Sequence, residues 1–170
     1  MRLPTFRSIV LVGSVALTAP LFVGCSGGPD TKTAKVVAGP MPEGETWTGV
    51  YFHPTYGYLH MVEEGSNIVA KWKRANQSHW GRMSGTVQGN VFRYTWEEHQ
   101  IGMIGAASKS KGKGYFVYKL DGEGHAVLDG QFGLNNDETG SDWHSVKQAR
   151  MAPDLKSIGG DGDGVRPGGF

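Results

Sequence analysis

Short β-type runs separated by turn signals fill the middle of the chain, and this pattern limits the possible fold more than any other feature. Between residues 46 and 150, no stretch repeats apolar residues at the spacing of an amphipathic helix. Turns such as Glu64-Gly65-Ser66 and Gln88-Gly89-Asn90 carry residues that tolerate a positive φ angle. The runs predict eight strands, which are 46–52, 56–62, 67–73, 80–87, 91–97, 114–120, 125–132 and 142–148.

Apolar and polar side chains alternate within these runs, so each strand is predicted to have one buried and one wetter face. Glycines such as Gly81 and Gly85 interrupt the runs, and they predict a bend, a bulge or room for a neighbouring ring. The aromatic residues predicted to line the interior are Trp72, Phe92, Tyr94, Trp96, Phe116 and Tyr118.

Eight short antiparallel strands with large rings and many glycines favour one fold class. We predict an all-β up-and-down meander that closes into a barrel, with a two-sheet sandwich as the alternative. A barrel of this size is either filled by its own side chains or holds one small ligand.

The chain resembles small, uncharacterised bacterial lipoproteins with a calycin-like β-barrel in four segments, which are WTGVYFHPTYGYLHMVEEG, SGTVQGNVFRYTWEE, GKGYFVYKLDGEG and GSDWHSVKQ. The resemblance covers residues 46–150 and rests on the spacing of Trp and Gly. It implies a barrel and brings no catalytic residue with it. True lipocalins carry a G-x-W signature on the first strand, whereas Trp47-Thr48-Gly49 has the reverse order, so lipocalin ligands are not implied.

Cys25 is the single cysteine, and it follows Leu21-Phe22-Val23-Gly24 at the end of a short apolar segment. Two arginines, Arg2 and Arg7, precede this segment. This order is typical of a bacterial lipoprotein signal, in which the chain is cleaved before the cysteine and a diacylglycerol is attached to its thiol. Residues 1–24 are thus predicted to be a cleaved signal peptide, and an ordinary secretory signal is the alternative. Ser26, and not Asp, follows the cysteine. The similarity to Gram-negative lipoprotein signals then implies a lipid anchor in the outer membrane, because in those proteins a residue other than Asp at this position favours export there.

Charge and cysteine content exclude several function classes. The chain has 17 Lys and Arg and 16 Asp and Glu residues, and residues 1–24 hold two arginines and no acidic residue, which leaves a formal net charge of −1 after cleavage. This balance gives no electrostatic basis for binding nucleic acid. With Cys25 acylated, no thiol remains for a disulfide, a nucleophile or a thiolate metal site, and we expect no cofactor.

Segments rich in Gly, Pro and charged residues flank the β-type region. Residues 25–45 are predicted to form the lipid anchor and a flexible tether. Residues 151–170, which include GGDGDGVRPGGF, are predicted to be a disordered tail. The β-barrel domain is therefore predicted to cover residues 46–150.

The sequence carries no catalytic or metal-binding motif. The six histidines never fall at a HExxH or comparable metal spacing. Asp142, His144 and Ser145 lie close together, but on a strand Asp142 and His144 point to one side and Ser145 to the other, which does not build a triad. We predict a protein that is not an enzyme, with a hydrolytic site assembled from distant residues as an alternative.

The longest predicted connection covers residues 99–113 and reads HQIGMIGAASKSKGK. Connections of this length in a compact domain are often binding loops, lids or insertions. Its apolar residues either plug one end of the barrel beside a solvated lysine turn or cover the barrel mouth. The remaining alternative is a contact with acidic lipid or a partner through the lysines. The candidate contact residues are Ile101, Met103, Ile104, Lys109, Lys111 and Lys113.

Two function classes remain open from the sequence. The favoured one is a non-catalytic envelope lipoprotein that engages another protein, the cell wall or a membrane through its outer surface, loop or tail. The alternative is a module that binds a small apolar or aromatic ligand in the barrel mouth. A cavity of a few hundred cubic ångströms with apolar walls would favour the alternative.

Overall fold

A computed structural model of the chain describes residues 30–159, in which eight antiparallel strands form a closed barrel in chain order. The elements are β1 Gly49–His53, β2 Gly57–Glu64, β3 Asn67–Lys73, β4 His79–Gln88, β5 Val91–Gln100, a 3-10 helix Ala106–Ser108, β6 Lys109–Leu120, β7 Ala126–Leu134 and β8 Ser141–Lys147. Each strand pairs with the next one, and β8 pairs with β1 to close the ring. The predicted up-and-down barrel is confirmed, and the sandwich is excluded.

The connection between β5 and β6 is shorter than predicted. β5 continues to Gln100, and β6 begins at Lys109 instead of Gly114. Gly and Lys are poor strand formers, but β5 pairs with the whole of this run and β7 pairs with it from Gly112 onward, so backbone pairing prevails over propensity. The prediction that the lysines belong to a loop is therefore wrong for Lys109, Lys111 and Lys113, which all lie on β6.

Large rings fill the interior of the barrel. The six aromatic residues predicted to face inward are all buried in one core, as the alternation indicated. Two glycines make room for them: a Cβ atom on Gly81 would lie 2.1 Å from the Trp72 ring, and one on Gly114 would lie 2.7 Å from the Tyr94 hydroxyl. These close approaches explain glycine inside otherwise regular strands.

One end of the barrel, which we call the closed end, is filled by the chain just before β1. The Trp47 side chain is buried and packs edge-on against Phe92 and Tyr118, with ring centroids 5.9 and 5.3 Å away. Above it, the Lys147 ammonium donates to Glu45 at 3.1 Å and to the Tyr118 hydroxyl at 3.0 Å, and that hydroxyl donates to Glu45. The hydrogen bond from Tyr118 lowers the pKa of Glu45.

Residues 31–45, here called the N-terminal segment, lie along the outside of the barrel instead of forming the predicted flexible tether. The Lys32 backbone N–H donates to Asp137 at 3.0 Å in the β7–β8 turn. The Gly39 N–H donates to the Asn90 side chain at 2.7 Å, and the Asn90 N–H returns a bond to the Gly39 carbonyl at 3.0 Å. These hydrogen bonds fix the segment at both ends of the barrel. The composition of the segment did not predict this packing, because the bonds are made to distant turns.

Residues 151–159, here called the C-terminal segment, also pack on the barrel. The Asp154 N–H donates to His60 Nδ1 at 2.8 Å, and Ile158 is buried. The prediction of a disordered tail is therefore wrong for this part. The rest of the predicted tail, residues 160–170, lies outside the described residues.

The predicted lipidation site, Cys25, also lies outside the described residues, so its acylation stays a prediction. Within residues 30–159, no helix is both long enough and apolar enough to cross a bilayer.

Candidate functional site

A cavity of about 280 Å³ occupies the end opposite Trp47, which we call the open end. The β1–β2, β3–β4, β5–β6 and β7–β8 connections all lie at this end, because neighbouring strands are antiparallel. Half of the residues that line this mouth cavity are aromatic, and they are Tyr56, Trp72, Trp96, Phe132 and Trp143. Trp143 is central, since its ring centroid lies 5.5 Å from that of Trp72 and 4.4 Å from that of Tyr56.

The three indole groups of the wall are fixed by hydrogen bonds to the protein itself. Trp143 Nε1 donates to Ser145 at 2.7 Å, and Trp72 Nε1 donates to Glu98 at 3.2 Å. Trp96 Nε1 donates to the backbone carbonyls of Lys113 and Gly133, both at 3.2 Å. A ligand in the cavity therefore meets ring surfaces and not free indole donors.

An ion pair between Arg74 and Glu98 forms the charged part of the wall, which also includes the polar residues Ser110 and Ser141. Arg74 Nε donates to Glu98 Oε1 at 2.8 Å, and Arg74 Nη2 donates to Oε2 at 2.6 Å. These bonds raise the pKa of Arg74, so its charge is held at any physiological pH. Glu98 is buried and also accepts from Trp72, which leaves it little capacity for a ligand.

The Arg74 guanidinium keeps donors that can reach a ligand. Its Nη1 has no hydrogen-bond partner among the described residues. The guanidinium carbon lies 5.8 Å from the centroid of the Tyr56 ring, which adds a cation–π contact. Arg74 is thus held in one orientation, with free N–H groups beside an aromatic cavity.

His53 positions the Tyr56 ring at the edge of the cavity. Its Nδ1 accepts from the backbone N–H groups of Thr55 at 3.0 Å and Tyr56 at 3.1 Å, and the two rings stack at 4.6 Å. Burial is the main cause that lowers the pKa of His53, and nearby His144 lowers it further. The neutral imidazole is the form that accepts these bonds, so the turn depends on an unprotonated His53.

Tyr94 faces inward on β5 at the next inward position beyond Trp96. Its hydroxyl is buried and has no hydrogen-bond partner among residues 30–159. Burial raises the pKa of Tyr94 well above its usual range, so the group stays protonated. An unpaired buried hydroxyl costs about 1–3 kcal/mol, which makes it a weak point of this part of the core.

The apolar residues of the β5–β6 connection do not plug the barrel, and that interpretation is wrong. Ile101, Met103 and Ile104 are 45, 49 and 86% exposed. None of them lines the mouth cavity; all three border a groove of about 730 Å³ on the outer surface, beside the C-terminal segment. Trp80 and His99 stack in parallel at 4.4 Å in the wall of this groove.

Only one of the three candidate lysines joins this apolar group. Lys109 borders the outer groove, together with Lys73 and Lys156. Lys111 and Lys113 lie farther along the outer face of β6, because they follow at every second position.

The cluster Asp142-Trp143-His144-Ser145 does not form a catalytic triad. His144 Nδ1 lies 2.7 Å from Asp129 on the outer face, whereas Ser145 is buried and accepts from Trp143. Within residues 30–159, no group of three or more His, Cys, Asp or Glu side chains is arranged to hold a metal ion.

Several residues of the mouth cavity were not among the sequence candidates. The signal for Glu98 was present, since it continues the inward positions Phe92, Tyr94 and Trp96 on β5. Trp143 likewise alternates with polar neighbours on β8. Arg74 gave no local signal, because it follows β3 in a turn and meets Glu98 only through the barrel fold.

Comparison of the chain with protein-family models, with curated proteins and with solved structures gave no match.

Proposed function

We propose that this protein is a lipid-anchored envelope module that binds a small, flat ligand in its mouth cavity. The observation that carries the proposal is a cavity of about 280 Å³ with five aromatic walls and one fixed ion pair. Apolar pockets with a few oriented polar groups are the usual form of small-molecule sites. The cavity is slightly below the common size range of about 300–1,000 Å³, which favours a ligand of one or two rings.

The polar groups favour a neutral ligand with a hydrogen-bond acceptor. Arg74 offers free N–H donors, whereas the oxygens of Glu98 are already occupied. A carboxylate ligand would place a second negative charge close to Glu98, and an ammonium ligand would meet Arg74. A carbonyl or ring nitrogen accepts from Arg74 without adding a buried charge.

The binding site can be tested on the full chain with the indole N–H signals of its five tryptophans in a 1H–15N NMR spectrum. Benzamide is the probe, and benzoate, benzylamine and toluene are its charge and polarity controls. We expect benzamide to shift the signals of Trp72, Trp96 and Trp143 and to leave Trp47 and Trp80 unchanged. Single Trp→Phe variants assign the signals.

Two results of that experiment contradict the proposal. If no probe shifts the three cavity signals, the mouth cavity is not a site for small aromatic molecules. If Trp80 alone responds, the ligand binds in the outer groove instead, since Trp80 lies there.

The role of Arg74 can be separated from that of the ring walls. Arg74→Lys keeps the positive charge but loses the planar fork, so benzamide should bind about five- to tenfold more weakly, the value of about one hydrogen bond. Toluene, which has no acceptor, should bind equally well to both proteins. An equal loss for both probes would mean that the substitution has disturbed the cavity itself.

The lipid anchor is a separate part of the proposal and rests on the sequence around Cys25. Cys25→Ser should abolish metabolic labelling with a palmitate analogue and release the protein from membranes or leave an uncleaved precursor. Labelling that persists in this variant would refute acylation at Cys25. Fractionation of inner and outer membranes tests the expected outer-membrane location.

An interaction role is the second candidate, and the exposed Ile101, Met103 and Ile104 favour it. Neighbouring apolar side chains at the surface often mark a contact with a membrane or a protein.

A further inference from the structure

We infer that the open end of the barrel is a membrane-docking surface, in which the β5–β6 connection enters the headgroup region of a bilayer that contains anionic lipid. This goes beyond ligand binding, and it uses the proposed acylation of Cys25 for one of its three arguments. The other two arguments are the exposed apolar residues at this end and the distribution of charge between the two ends.

The first argument is the path of the N-terminal segment. Lys32 is held at the open end, because its N–H donates to Asp137 and its carbonyl accepts from the Glu138 N–H at 2.8 Å. Lys32 follows Cys25 by seven positions, and a chain of seven steps spans at most about 25 Å. An acyl group on Cys25 would therefore keep the open end close to the bilayer.

The second argument is the chemistry of the β5–β6 connection. Ile101, Met103 and Ile104 are exposed, and Ile104 is 86% exposed. Apolar side chains next to basic ones are the combination that binds at the interface of an anionic bilayer. Within the described residues, the basic side chains bordering the same groove that have no ion-pair partner are Lys73, Lys109 and Lys156.

The third argument is the contrast with the closed end. The β2–β3 and β6–β7 turns there present exposed acidic side chains, among them Glu64, Asp121 and Glu123. Such residues are repelled by an anionic bilayer surface. The acidic residues at the open end include Glu98, Asp137, Glu138 and Asp142. Glu98 and Glu138 form ion pairs with Arg74 and Arg93, and Asp137 binds the N-terminal segment. Asp142 is exposed, and it accepts a hydrogen bond from the neutral side chain of Gln131.

Single-cysteine labelling can test this surface, because acylation consumes the thiol of the only native cysteine. Ile104→Cys at the open end and Glu123→Cys at the closed end are a matched pair, since Ile104 is 86% exposed and the Glu123 side chain 83%. Each full-length protein is labelled with the fluorophore NBD. It is then reconstituted into vesicles of phosphatidylethanolamine with phosphatidylglycerol, or of phosphatidylcholine alone.

We expect the label at position 104 to shift to shorter wavelength and to be quenched several-fold more by nitroxide lipids than the label at position 123. Aqueous iodide should quench in the opposite order. Adding Lys73→Gln, Lys109→Gln and Lys156→Gln to Ile104→Cys should reduce the lipid contact in phosphatidylglycerol vesicles. Their effect in phosphatidylcholine should be small, because the lysines act through charge.

A label at position 104 that is as accessible to iodide as the label at position 123 would overturn the docking surface. Equal lipid contact at both positions would overturn the orientation. The intact mass of the protein shows separately whether Cys25 is acylated. If it is not, the same pair in a Cys25→Ser background is added to preformed vesicles, and lipid contact at position 104 alone still supports the surface, whereas its absence refutes it.

Discussion

The two ends of this barrel are built from the same kind of residue but differ in how the rings pack. At the closed end, the chain before β1 carries Trp47 into the interior, where Phe92 and Tyr118 enclose it. At the open end, no segment of the described chain enters in the same way. Trp96 and Trp143 line a void of about 280 Å³ there.

The contrast shows that aromatic content does not decide whether a small barrel is solid or hollow. Rings projecting from the strands leave a gap at the axis, and the gap closes where an additional side chain is inserted along that axis. The polar groups differ in the same sense. At the closed end the Tyr118 hydroxyl is bonded to Glu45 and Lys147, whereas the Tyr94 hydroxyl, nearer the mouth, has no partner among the described residues.

Removing one tryptophan from each end should give the largest effects. Trp47→Ala should lower the free energy of unfolding by about 3–5 kcal/mol, because it opens a cavity in a region that is already closed by packing. Trp96→Ala should cost about 2–3 kcal/mol, since its ring already borders the mouth cavity, into which water can extend. Urea unfolding of both variants measures the difference. A larger loss for Trp96→Ala would mean that the open end is the more tightly packed one.

Removing a tyrosine hydroxyl should change the free energy of unfolding in opposite directions at Tyr118 and Tyr94. Tyr118→Phe should lower the free energy of unfolding by about 1.5 kcal/mol, because it removes hydrogen bonds to two charged groups. Tyr94→Phe should be neutral or stabilising by up to about 1 kcal/mol, because the hydroxyl that it removes is unpaired. Urea unfolding measures both changes, and the midpoints of the two variants can be compared directly if their m values are equal. A clear loss for Tyr94→Phe would indicate that its hydroxyl bonds a water molecule or a ligand.

Acidification should weaken ligand binding at the open end through His53. Its ordinary pKa is 6.5, and burial lowers it in the folded state, so the fold favours the neutral ring. The associated stability is complete above pH 6.5 and is lost as the pH falls through the lower native pKa. Protonated Nδ1 no longer accepts from the Thr55 and Tyr56 N–H groups, which releases the Tyr56 wall.

Benzamide affinity measured between pH 8 and pH 5 tests this dependence on His53. His53→Asn is the control, because its side-chain oxygen can accept from the same turn without titrating. The affinity of the native protein should fall at low pH, and that of the variant should change less. Parallel pH profiles would assign the effect to another group.

Period-two alternation made the barrel and its inward rings predictable, because it depends only on neighbouring residues. Phe92, Tyr94 and Trp96 were placed correctly for this reason. The mouth cavity was less predictable, since the Arg74–Glu98 pair joins a turn to a strand two elements away in sequence. The docking of the N-terminal segment likewise depends on contacts such as Gly39 with Asn90, which have no local signature.

The smallest effect is expected for the exposed residues of the open end. Ile104→Ser should change the free energy of unfolding by less than about 0.5 kcal/mol, because Ile104 is 86% exposed. Ile101→Ser and Met103→Ser should each lower it by at most about 1 kcal/mol, because these residues are about half exposed. The combined variant should also bind benzamide with unchanged affinity, since none of the three residues lines the mouth cavity. Urea melts and the indole NMR titration measure these two quantities in one protein preparation.

A loss of several kcal/mol in the free energy of unfolding would restore the interpretation that these residues plug the barrel. Increased access of a neutral dye to the cavity would identify them as its lid. Unchanged stability and unchanged benzamide binding, together with reduced contact with phosphatidylglycerol vesicles, would instead separate the two properties of the open end: aromatic rings of the interior hold the ligand, and the exposed connection holds the membrane.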